Sequence, residues 1–342
     1  MVYLNMTCVS DLRFPPALNL TLLSLFILMR HGERTPIDTW LPKNPAEKWI
    51  CDNDDSISPQ MHTFSRTNSS GFSSVHRRYR ANLDPKTCPF PTNCAKGQLT
   101  VKGTHQLKDL GQFYHSEFVT KRKFLPDYYD PNTVHFRSSQ SDRAVRSLIS
   151  FLVGFYPDAD DPEEIVTIST GTQSGREPLN PDPYSCKDLQ DAYAEFISTD
   201  EFRQKRDKAW EVHDAFYKEI NLEKTHENWQ WIGDFIYSYY CNHDQALVDL
   251  IPKSITDESF ELAMNDTAYY SNGFFDKYRD IPAGPIWRLL FEEINKKLSG
   301  ETQTKFTVFS GHDTTIAAIT AFFGHADMRG IAPYRSHLAV EM

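Results

Sequence analysis

The chain has 342 residues, of which 40% are hydrophobic and 13% aromatic, enough to bury a large core. A formal net charge of −10 argues against nucleic acid as a partner, because a backbone binder needs a basic face. Its longest apolar run, residues 20–29, falls short of the roughly 20 residues of a membrane span, so no transmembrane segment is expected.

The run Leu20–Met29 is apolar on both alternating faces, as in a strand buried in a helix-covered sheet, and ligands bind at the carboxyl ends of such strands. Immediately after it comes Arg30-His31-Gly32-Glu33-Arg34-Thr35-Pro36. Histidine is a competent nucleophile towards phosphorus, and guanidinium forks match phosphate oxygens two bonds at a time. Gly32 is expected to let the backbone approach an oxyanion, and Pro36 to begin a helix. Residues 50–96 are polar and hold Cys51, Cys88, Cys94 and the basic cluster His76-Arg77-Arg78-Tyr79-Arg80. They read as a surface loop stapled by cysteines, or as a basic loop that selects a bulky or polyanionic substrate. Val134–Arg146 presents a strand, a polar turn and a helix carrying arginines, with Arg146 expected on the solvated face.

From about residue 185 to 300 the pattern turns helical. Its aromatics, Phe196, Phe202, Trp210, Phe216, Trp229, Trp231, Phe235 and Tyr239, are expected in a core. Pro282, Gly284 and Pro285 are expected to mark the return to the main domain before a helix over 287–294. His213, His226, His243 and His325 receive no functional role. In Phe306–Ile319 a buried strand again runs into a turn and a helix, which places His312 and Asp313 at a strand's carboxyl end. Helix N-capping alone would account for Asp313; its other role is to give a proton to a leaving group while His312 donates to a phosphoryl oxygen.

Six cysteines without the paired short spacings of a zinc site favour disulfides over metal, and hence export. Sequons at Asn5, Asn19, Asn68 and Asn265 agree with a glycoprotein, whereas the N-terminus lacks the basic region of a signal peptide.

The chain resembles the histidine acid phosphatases, the branch of the histidine phosphatase superfamily that includes prostatic and lysosomal acid phosphatases and phytases. The likeness rests on Arg30–Pro36 with Ile37-Asp38-Thr39 behind it, Gly97-Gln98-Leu99-Thr100 opening a helix, Arg137-Ser138-Ser139-Gln140-Ser141-Asp142-Arg143, and Ser310-Gly311-His312-Asp313-Thr314-Thr315, in that order. It implies that His31 attacks phosphorus to form a phosphohistidine and that Asp313 protonates the departing oxygen. Arg30, Arg34, Arg143 and His312 would hold the phosphate, and Arg137 matches a further arginine of less certain role. In the family the terminal strand, Ser336–Met342 here, is followed by more chain, so a missing sheet edge is a further expectation.

The expected fold is α/β, a central mainly parallel sheet flanked by helices, with residues 1–180 and 281–342 forming a discontinuous phosphatase domain and 181–280 an inserted helical cap. The expected function is hydrolysis of phosphate monoesters at acidic pH, with no metal or cofactor, in a secreted, lysosomal or other lumenal compartment. Alternatives are a phosphatase restricted to inositol phosphates or a phosphorylated sugar or glycan, and a catalytically silent anion-binding or interaction protein. The expected partner is a small phosphorylated substrate rather than nucleic acid, with homodimerisation left open.

Overall fold

The computed structural model describes residues 8–13, 21–38, 49–51, 78–81, 94–157, 165–171, 177–181, 186–324 and 331–342. Among these are six strands: β1 (Leu25–Arg30), β2 (Arg78–Ala81), β3 (Val134–Ser138), β4 (Ile165–Thr170), β5 (Phe306–Gly311) and β6 (His337–Glu341). They form one sheet in the order β2-β4-β3-β5-β1-β6, with the first five parallel and β6 antiparallel to β1. The terminal segment therefore supplies an edge strand. The buried run that was expected over 20–29 becomes strand only from Leu25, and all six residues of β1 are buried.

Pleating sends alternate side chains of β1 to opposite faces. Leu25, Ile27 and Met29 join Phe306 and Val308 beneath α1 (Val101–His115) and α2 (Asp142–Phe155). Phe26, Leu28 and Phe309 face α10 (Asp280–Leu298) and α11 (Asp313–Phe322). Thr100 starts α1 as its N-cap, accepting the Gly103 N–H at 3.0 Å, as the Gly-Gln-Leu-Thr segment predicts.

The helices α3 (Lys187–Ile197), α4 (Asp200–Val212), α5 (Asp214–Glu219), α6 (His226–Asn242), α7 (Gln245–Val248), α8 (Asp257–Ala268) and α9 (Phe274–Lys277) lie between β4 and α10, the stretch expected to form a cap and called the cap below. Phe202 of α4 and Trp229 of α6 pack in the same cluster as α10 and α11, so the cap's apolar interior runs continuously into one face of the sheet. A second cluster joins α5, α6 and α8 around Phe216, Phe235, Tyr239 and Phe260. Disulfides link Cys8 to Cys241 at the end of α6 and Cys51 to Cys94.

Two expected boundaries move. α10 begins at Asp280 and runs through both prolines instead of starting near Trp287. Pro282 lies in the first turn, where its missing N–H would have no intrahelical acceptor, so only Pro285 removes a helical bond. No helix follows Pro36 among the described residues. The segment is instead held extended against 95–99: Thr35 N–H donates to Gln98 O at 2.9 Å, Gly97 N–H to Pro36 O at 2.9 Å, and Arg34 bridges Leu99. The basic cluster lies outside the described residues except for the short strand β2, as do Cys88, His325 and the sequons at 5, 19 and 68. Asn265 is exposed on α8.

Candidate active site

Parallel pairing in register brings three strand ends together: Arg30 lies opposite Gly311, and Ser138 opposite Ser310. The residues that follow, His31, His312 and Ser139, must then converge at the carboxyl edge, where β1 has a parallel neighbour on one side and an antiparallel one on the other. They do so at the floor of a cleft of about 280 Å³, lined there by His31, Arg34, Arg143, His312 and Asp313.

The His31 ring is buried, with Nδ1 2.8 Å from its own neighbour's carbonyl, Gly32 O. A carbonyl only accepts, so Nδ1 carries the proton and Nε2 keeps its lone pair. Burial lowers the His31 pKa well below its usual value, and Arg143, Arg30, His312 and Arg34 lower it further. Burial and these cations therefore favour the neutral, nucleophilic form of the imidazole.

His312 stands 5.4 Å from it, ring to ring. Arg143 Nη2 approaches His312 Nδ1 at 3.4 Å; a guanidinium only donates, so Nε2–H faces Ser139 Oγ at 2.9 Å. Burial and then Arg143 keep this ring neutral as well, against the pull of Asp313. The expected donor to a phosphoryl oxygen, Nε2–H, is thus already engaged by Ser139, and a phosphate that took over Arg143 would free the Nδ1 lone pair, an acceptor, rather than that donor.

Arg30 is fully buried behind the cleft, its guanidinium 4.5 Å above the Tyr334 ring and 5.7 Å from that of Tyr237. It donates to Ala332 O and pairs with Asp313 at 3.1 Å. Asp313, the first residue of α11 after the N-cap His312, has a side chain 31% exposed to the cleft. Burial opposes its charge, but Arg30, Arg34, His312 and the Thr314 N–H outweigh that and hold its pKa below the usual carboxylate value. Its place beside His31 and its ion pair are more than capping requires.

Arg34 is held by a residue that the sequence did not single out, Asp234 of α6: Nη2 lies 2.5 Å from Oδ1 and Nη1 3.3 Å from Oδ2. Oδ2 also accepts the Ile37 N–H at 3.2 Å. Arg143 makes no carboxylate ion pair among the described residues; burial and Arg34 bring its pKa down to about 10, against Asp313 and Asp234. Arg137 is not in the cleft wall. It pairs with Glu177 at 3.2 Å, whose Oε1 accepts the Leu179 N–H, so it braces the segment leading to Asn180 and Pro181, which do line the cleft. Arg146 is bound to Asp142 on the surface of α2.

Gly32 does approach something closely, but it is helix α1. A Cβ there would collide with the Gly103 backbone, and the Gly32 N–H already donates to Ser147 Oγ at 3.1 Å. Glu33 turns away from the cleft and is buried between Thr100 of the α1 cap, at 3.0 Å, and Asn242 of α6, at 2.8 Å. The cap supplies the upper walls, among them Tyr193, Trp231, Tyr270 and Phe275. Trp231 is thus the exception among aromatics expected only to pack.

The family model for the histidine phosphatase superfamily, branch 2, matches residues 21–342. Among curated relatives, Counting factor 60 of Dictyostelium discoideum is 26% identical over 337 residues, covering 96% of this chain and 78% of the relative. A probable acid phosphatase of Schizosaccharomyces pombe is 26% identical over 356 residues, covering 96% and 73%. Among solved structures, the apo phytase of Hafnia alvei superposes with a TM-score of 0.53 at 14% identity, covering 94% of this chain and 80% of that one. This last likeness concerns the fold.

Proposed function

The chain belongs to branch 2 of the histidine phosphatase superfamily, and from that premise we propose that it hydrolyses phosphate monoesters through a phosphohistidine on His31, at acidic pH. Relatives named acid phosphatases support the class of reaction. The observation that carries the intermediate is the His31 tautomer: Nδ1–H is spent on Gly32 O, leaving an Nε2 lone pair in a cleft beside Arg34, Arg143 and Asp313.

In the first step Nε2 bonds to phosphorus as the P–O ester bond breaks, and the departing oxygen takes a proton from the Asp313 carboxyl. Arg34 and Arg143 hold the non-bridging oxygens, and Arg30 assists from behind. In the second step water attacks phosphorus, the P–N bond breaks, and Asp313 recovers the proton from the water. The free enzyme holds Asp313 ionised. A bound phosphate occupies the same guanidiniums and raises the Asp313 pKa, so the proton enters with a monoanionic substrate.

The described walls contain no lysine and no arginine besides Arg34 and Arg143, while aromatics dominate the cap side. That composition favours an ester with one phosphate and an apolar or aromatic leaving group over an inositol polyphosphate, which would need several cations. Two disulfides support an exported or lumenal protein. No described helix is long and apolar enough to cross a membrane.

The test is hydrolysis of p-nitrophenyl phosphate from pH 4 to 8, with and without chelator, by this chain and its His31→Ala variant. Chelator-resistant activity that the variant lacks is expected. Absence of activity in a folded chain would favour the silent anion-binding alternative.

A further inference from the structure

Asp234 is a carboxylate planted in a site that must bind an anion. It is 5% exposed, lines the cleft, and grips Arg34 through both oxygens. Burying a charge there is costly unless it is paired, and pairing it uses the very guanidinium that phosphate needs. The groups that face it from neighbouring elements are Arg34 and the Ile37 N–H after β1, Arg143 of α2, and Tyr334 before β6.

The charge balance at the cleft floor suggests a purpose. Three guanidiniums, Arg30, Arg34 and Arg143, stand against two carboxylates, Asp234 and Asp313, with both imidazoles neutral, which leaves one net positive charge. A singly charged phosphate brings that count to zero. A doubly charged one leaves an uncompensated negative charge where little water can screen it.

We infer that Asp234 is a positioning and specificity residue that ties Arg34 to the cap and sets the pocket to take the monoanionic form of a phosphate monoester. This rests on the phosphatase reading for the identity of the ligand, but not on turnover. Without the Asp234 charge the floor would carry two net positive charges and would match a dianion. The acidic working range then follows in part from a residue of the cap that touches no reacting atom.

The test is binding of inorganic phosphate by calorimetry at pH 4.5 and 8.5, on either side of its second ionisation, together with the pH profile of kcat/KM for p-nitrophenyl phosphate. Wild-type protein should bind phosphate more tightly at pH 4.5. Asp234→Asn, which keeps the shape and one acceptor, should raise the affinity at pH 8.5 relative to pH 4.5 by about ten-fold and move the basic limb of kcat/KM upward by about one pH unit. Asp234→Glu should keep the wild-type ratio. A structural role alone would lower affinity equally at both pH values and leave the limb in place, and that result would overturn the inference.

Glu33 also titrates in this range, so Glu33→Gln serves as a control and should leave the ratio unchanged. If Asp234→Asn does not fold, the wild-type protein still decides, because tighter binding at pH 8.5 contradicts the inference. Binding that favours the monoanion without turnover would sink the phosphatase reading and not this one; turnover without that preference would do the reverse.

Discussion

Replacing Glu33 by Gln isolates one buried proton. The carboxyl is inaccessible, one oxygen accepts from Thr100 and Asn242, and the other has, among the described residues, only Lys102 Nζ, at 3.8 Å. Burial raises its pKa from 4.5 to about 7, against Lys102, Thr100 and Asn242. The folded state therefore keeps a proton that the unfolded chain releases above pH 4.5. The stabilisation is fully present below pH 4.5 and is lost as pH rises through 7, amounting to about 3 kcal/mol across that window. A glutamine is neutral at every pH and can accept the same hydrogen bonds. Relative to wild type, Glu33→Gln should be close to neutral at pH 4.5 and more stable by up to about 3 kcal/mol at pH 8. Urea unfolding at the two pH values, disulfides intact, measures the difference. The same ΔΔG at both would show that Glu33 does not titrate with folding, and would remove the idea that acid stabilises the turn between His31 and Arg34.

His213 should act with the opposite sign. Burial lowers its pKa to about 4 and neither ring nitrogen has a hydrogen-bond partner among the described residues, so its contribution is present above pH 6.5 and lost as pH falls towards 4. His213→Leu should then gain stability at pH 4 relative to pH 7.5, by about 3 kcal/mol, and a pH-independent effect would count against this. Asp313→Ala should lower kcat for alkyl phosphates at least ten-fold more than for p-nitrophenyl phosphate, whose leaving group needs little protonation; equal losses would show that Asp313 is not the acid. Arg143→Ala removes the arginine that makes no ion pair among the described residues and should weaken inhibition by phosphate or vanadate about ten-fold or more, while an unchanged inhibition constant would take Arg143 out of the pocket.

The residues that proved legible are those whose position along the chain is also their position in space. His31, Arg34, His312 and Asp313 each follow a buried strand within a few residues, so locating parallel strands by their apolar runs also located the cleft that these residues line. Arg143 is carried by the helix that follows a third such strand. What escaped depends on pairing between distant segments. Pro36 has the local chemistry of a helix start, yet Thr35 and Pro36 find their hydrogen-bond partners in residues 97 and 98, and that tertiary pairing wins. Gly32 was read for a ligand and serves a helix crossing, because no local rule says what a glycine must clear. Arg137 sits one register step from the cleft and is claimed by Glu177.

Asp234 had a signal: a lone carboxylate within Trp229-Gln230-Trp231-Ile232-Gly233-Asp234-Phe235-Ile236-Tyr237 has to find a cation if that helix is buried. Which cation it finds, two hundred residues away, only the fold decides. Tyr237 and Tyr334, the rings about Arg30, carried no comparable mark.

The central claim is a covalent bond between phosphorus and His31. Mixing the enzyme with a monoester, quenching within milliseconds in alkali, where phosphohistidine persists, and mapping the added phosphate by mass spectrometry tests it most directly. The account predicts a phosphoryl group on His31 that accumulates before steady state and is absent from His31→Ala. A turning-over enzyme with no phosphoryl group on His31, or a His31→Ala variant that retains activity, would contradict it.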